Sequence, residues 1–68
     1  MTKSKTCQIR IYRDVDGLFA VSHSDANVYP REMVVDLKST LEQARDRAIA
    51  EGKARAPYYQ ATTIVEDI

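Results

Sequence analysis

From Cys7 to Arg13 the chain reads Cys-Gln-Ile-Arg-Ile-Tyr-Arg, and apolar and polar side chains alternate one by one. Successive side chains of an extended backbone point to opposite faces. A period of two therefore specifies a half-buried strand, with Ile9 and Ile11 on one face and Gln8, Arg10 and Tyr12 on the other. Asp14-Val15-Asp16-Gly17 comes next, and Asp-Gly is a strong turn signal because glycine takes positive φ at little cost. Leu18 to His23 then reads as a second strand that folds back on the first, with Phe19 and Val21 joining Ile9 and Ile11 in the core. A lone hairpin is marginal in water, so the remaining chain must cover that apolar face.

The cover is a helix. Ser39-Thr40-Leu41-Glu42 has the spacing of a capping box, in which the serine oxygen accepts from the Glu42 amide and the glutamate reaches back. The helix is expected to start at that box, run through Glu51 on good helix formers, and stop at Gly52. Its buried stripe is Leu41, Ala44, Ala48 and Ile49, and Glu42 with Arg45 and Arg47 with Glu51 are spaced to pair on the wet face. The stretch Glu32 to Leu37 reads in two ways. Val34-Val35 suits a strand, yet Val34, Leu37, Leu41, Ala44 and Ala48 step by three and four, as on one long helix whose first turn holds Pro30. The capping box favours the extended reading. Ser24 to Asn27 reads as a polar loop and Lys53 to Pro57 as a connector, while Tyr58 to Val65 has the aromatic and β-branched make-up of a last strand. The expected fold is α+β: a small antiparallel sheet with one helix packed on one face, in the order β-β-(β)-α-β. Residues 7–68 form that single domain behind a flexible tail, residues 1–6.

A chain of 68 residues buries only about 60 % of its unfolded surface, so the core must be small. Apolar residues at 44 % and charged residues at 29 % suit a folded domain. One cysteine, Cys7, excludes an internal disulfide, and small domains of oxidising compartments usually carry several. A cytoplasmic setting is expected, with no targeting segment and no membrane partner. Catalytic chemistry finds little support. His23 and Cys7 are the only residues of their kinds, Asp14 and Asp16 lack the glutamate that would complete a calcium loop, and two distant glycines make no phosphate loop. No zinc site can be assembled either. The expectation is a protein that is not an enzyme and needs no metal or cofactor.

The outer face of the sheet carries the candidate site. Arg10 and Tyr12 alternate with the core residues, and Tyr58 or Tyr59 on the last strand is expected beside them. Arg13, Lys53 and Arg55 complete the partner-binding set. Tyr and Arg predominate at interface hot spots because each joins a large contact area to a polar end, which makes a protein partner the leading reading. Open strand edges also admit a homodimer. Arginines interleaved with aromatic rings stack bases too, so a nucleic-acid-binding module is the alternative. Ten Lys and Arg balance ten Asp and Glu, so that alternative needs local clustering.

The run from Ile9 to Val21 around Asp16-Gly17, followed by Ser39-Thr40-Leu41-Glu42-Gln43-Ala44, resembles the hairpin-then-helix opening of HicB-like antitoxin domains. The resemblance covers residues 9–51. It implies a small non-catalytic partner protein of the inhibitor or antitoxin type, and phage-encoded inhibitors of β-β-α-β make-up look similar at the same level. The segment before the helix lacks that family's Pro-Gly-Cys-like stretch.

Overall fold

The structure, a computed structural model, describes residues 4–25 and 32–68. Four strands and one helix follow in the order β1 (Ser4–Arg13), β2 (Phe19–Asp25), β3 (Glu32–Lys38), α1 (Leu41–Arg55), a 3-10 turn (Ala56–Tyr58) and β4 (Tyr59–Asp67). The stretch with two readings is thus a strand. The sheet order is β3-β2-β1-β4. Pairing is antiparallel between β1 and β2 and between β2 and β3, but β4 runs parallel to β1. The sheet is therefore mixed and not purely antiparallel as expected. The cause is the helix: α1 carries the chain back along the sheet after β3, so the next strand starts at the end where β1 starts, and a helical crossover of this kind joins strands of like direction.

Pairing with β4 also lengthens β1. Ser4 and Thr6 face Tyr59 and Ala61, which puts residues expected in a flexible tail into the sheet. The tail's first residues, 1–3, lie outside the described residues. So do Pro30 and the Ala26–Asn27 end of the expected polar loop, whose first residues, Ser24 and Asp25, instead close β2.

At the hairpin, Asp14 Oδ1 accepts from the amides of Asp16 (3.0 Å) and Leu18 (2.9 Å). The Gly17 amide closes the turn on the Asp14 carbonyl at 3.2 Å. Gly17 has φ 81°, a left-handed value that a side chain would strain. The Asp14 carboxylate is thus a turn acceptor.

Cys7, Ile9, Ile11, Val21, Ala44 and Ala48 form the core and are fully buried, with Phe19, Val35, Leu41 and Tyr59 partly buried around them. Each large aliphatic side chain fully buried here contributes about 1.5–3 kcal/mol. The alanines at 44 and 48 let the helix approach closely. Ile49, expected in the same stripe, is instead 47 % exposed on the helix flank towards β4. The helix cap lies one residue later than expected: Thr40 is the N-cap and its hydroxyl accepts from the Gln43 amide at 3.2 Å, while the Ser39 hydroxyl donates to Gln43 Oε1. Ser39-x-x-Glu42 and Thr40-x-x-Gln43 are overlapping boxes, and the second is used. The helix also passes through Gly52 to Arg55. A Cβ placed on Gly52 would lie 3.5 Å from Ile9 Cδ1 and 3.6 Å from Thr62 Cγ2, ordinary contact, so the glycine neither stops the helix nor is demanded by crowding.

Candidate functional site

The helix covers one face of the sheet; the other carries Arg10 and Tyr12 of β1 with their cross-strand partners. Register puts Ser22 opposite Arg10 and Ala20 opposite Tyr12 on β2, and Val65 and Asp67 beside them on β4. Among the described residues no helix packs on this open face.

Arg10 is its hub. The guanidinium Nη1 donates to both oxygens of Glu32, at 2.8 and 2.9 Å, while Nε and Nη2 reach Asp67 Oδ2 at 3.1 and 3.0 Å. Its Cζ also lies 4.4 Å from the centre of the Tyr12 ring, within cation–π range. The buried Ser22 hydroxyl donates to Glu32 Oε1 at 2.5 Å. One connected network thus crosses all four strands, from Glu32 on β3 through Ser22 and Arg10 to Asp67 on β4. The Ser22 hydroxyl and the Arg10 guanidinium hold the Glu32 carboxyl below its usual 4.5. Glu32 and then Asp67 hold Arg10 firmly in its charged form. Two carboxylates against one guanidinium leave the network net negative.

Exposed aliphatic side chains border it: Val34 and Leu37 on β3, and Val65 on β4. Val34 and Leu37 share this face although one is even-numbered and the other odd. The β2–β3 register shifts between Val21 and Ser22, so that Val21 faces Asp36 while Ser22 faces Val34, and Val35 is the extra residue of a bulge. The helical spacing of Val34 and Leu37 with Leu41, Ala44 and Ala48 is coincidental, because the first two lie across the sheet from the other three.

The expected seven-residue set is not one surface. Arg13 belongs to the covered side, with Cζ 5.0 Å from the centre of the Phe19 ring. Tyr59 pairs with Ser4, six residues up β4 from the Val65 that flanks Arg10, on the order of 20 Å away. Tyr58 is 69 % exposed at that same distant end. The expectation that Tyr58 or Tyr59 stands beside Arg10 and Tyr12 assumed an antiparallel last strand, and the parallel β4 reverses it. Lys53 and Arg55 sit in the last turn of α1 at the same end, with Arg55 bound to Glu51. Glu51 is only 7 % exposed. Burial pushes its carboxyl up, but Arg47 and Arg55 outweigh that and hold it below the usual value.

On the covered side Arg47 and Lys38 converge on Asp36, and Arg45 donates twice to Glu66, at 2.9 and 2.8 Å, in place of the expected pair with Glu42. The expected Arg47–Glu51 pair is present at 2.8 Å. Cys7 and His23 share the covered face, with His23 opposite Ile9 and Cys7 opposite Asp25. Among the described residues no three His, Cys, Asp or Glu side chains are grouped to hold a metal ion, and no helix is long and apolar enough to cross a membrane.

Sequence reasoning missed Ser22, Glu32, Val34, Leu37, Val65 and Asp67. The parity of β2 and β4 could have placed Ser22, Val65 and Asp67 once their registers were known; the bulge hides Glu32, Val34 and Leu37 from any such count. Comparison with protein-family models, curated proteins and solved structures returned no match.

Proposed function

We propose that this chain is a non-catalytic protein-binding module acting through the open face of its sheet, with Arg10 and Tyr12 at the centre. The observation that carries this reading is the neutralisation of Arg10: its guanidinium already holds Glu32 and Asp67. A net negative network repels a phosphate backbone, whose binding is driven by Lys and Arg releasing counterions. The same network holds Arg10 against Tyr12 in one geometry, so less side-chain freedom is lost when a partner docks. Val34, Leu37 and Val65 supply apolar contact around that polar centre, the composition of a protein interface. The role closest to this reading is a small inhibitor or antitoxin-like partner of a cytoplasmic protein, in keeping with the resemblance of residues 9–51 to HicB-like antitoxin domains.

The test is capture from native extract by the wild type and by an Arg10→Ala, Tyr12→Ala double variant, at low and high salt. The wild type is expected to retain a protein at both salt levels, and the folded double variant to lose it, since central hot-spot truncations cost about 2 kcal/mol or more. Capture that is nuclease-sensitive and disappears at high salt would assign the face to nucleic acid. A folded double variant that keeps every partner would show the face to be solvated surface only.

A further inference from the structure

Both edges of the sheet are open among the described residues, and they differ. β3 carries a bulge opposite Val21 and Ser22, a device that discourages edge-to-edge pairing. β4 has no proline, no lysine and an unbroken parallel register with β1 from Thr6 to Tyr12. Beside this clean edge lies an apolar pair. Arg45 reaches Glu66 and the Gly52 position abuts Thr62. These two contacts bracket Ile49 on the helix with Ile64 on the strand. The two isoleucines are 47 % and 44 % exposed, in a domain whose largest fully buried side chains are Ile9, Ile11 and Val21.

We propose that two copies of this chain pair β4 against β4 about a two-fold axis perpendicular to the sheet, joining two four-stranded sheets into one of eight strands. A two-fold makes the pairing antiparallel and the contact self-complementary. It leaves both helices on the same side, so Ile49 and Ile64 of each copy meet their equivalents and lose their exposure. Charge fits the same arrangement. At the end of β4, Glu66 is held by Arg45 within its own chain, while Asp67 shares Arg10 with Glu32 and keeps part of its negative charge. The antiparallel register also brings that acidic end towards the start of the partner's β4, next to Lys53, which pairs with no carboxylate among the described residues and stands one turn beyond Ile49. Ile49 and Ile64 lie on the covered side, with Ile64 beside the buried Ile9, and not on the open face, so dimerisation and partner capture can fail independently.

Sedimentation equilibrium of the full chain over a wide concentration range tests this, with Ile49→Lys, Ile64→Lys and, as a control on the other edge, Met33→Lys. The wild type is expected to dimerise. The first two substitutions set like charges against each other across the two-fold and should raise the dimer dissociation constant about a hundredfold or more, whereas Met33→Lys should leave it unchanged. Circular dichroism checks the fold of each. Should Ile64→Lys fail to fold, Ile49→Lys, on the helix flank, decides the matter. Amide exchange along β4 is expected to slow as concentration rises. A wild type that stays monomeric throughout, an Ile49→Lys protein that dimerises as well as wild type, or dissociation by Met33→Lys alone would each overturn the proposal.

Discussion

Ile9 and Ile11 have no exposed surface, whereas Arg10 and Tyr12, interleaved with them on the same strand, stand on a face that no helix covers among the described residues. The covered face is closed by small aliphatic side chains and the alanines of α1. The open face is ordered by directional polar contacts, from Glu32 through Arg10 to Asp67. Burial of apolar area stabilises a fold without regard to direction, while exposed ion pairs add little stability but fix side-chain geometry. Stability is thus expected to reside on one face and recognition on the other.

The largest expected effect tests that division. Ile11→Ala removes a fully buried side chain and should cost about 2–5 kcal/mol, a large part of the total for so small a domain. Arg10→Ala should shift the urea midpoint far less. If Arg10→Ala proves the more destabilising of the two, the polar network and not the buried face holds the domain together.

A medium effect concerns how the helical cover is anchored. Thr40→Ala removes the acceptor of the Gln43 amide and should cost about 1 kcal/mol. The Ser39 hydroxyl touches only an exposed side-chain oxygen, so Ser39→Ala should be close to neutral. Thermal melts of the two variants decide which overlapping box is in use, and a larger loss at Ser39 would move the cap back by one residue.

The smallest effect is a gain. Gly52 lies over the covered face with room for a methyl against Ile9 and Thr62. Gly52→Ala should therefore stabilise by about 0.5–1 kcal/mol through helix propensity. A loss on denaturation would mean that the helix sits closer to the sheet than those contacts allow.

Much of the fold is legible in local pattern. The alternation around Ile9 and Ile11 specifies β1 and its two faces, Asp16-Gly17 specifies the hairpin, and the good helix formers after Thr40 specify α1. The candidate site is legible only at its centre. Arg10 and Tyr12 follow from alternation alone, but Glu32 lies two strands away beyond a bulge, and Asp67 reaches Arg10 only because β4 runs parallel to β1. Tyr58 and Tyr59 stand at the far end of the sheet from Arg10 and Tyr12 for the same reason.

Taken by itself, the sequence determined the hairpin at Asp16-Gly17, the helix that follows Thr40 and which face of β1 is apolar, because those properties depend on neighbours a few residues apart. Tertiary structure decided the direction and position of β4, the bulge at Val35, and the partners of Arg10 and Arg45. Each of these is a contact between segments distant in the chain, and the periodicity of a strand reads the same whichever way the strand runs.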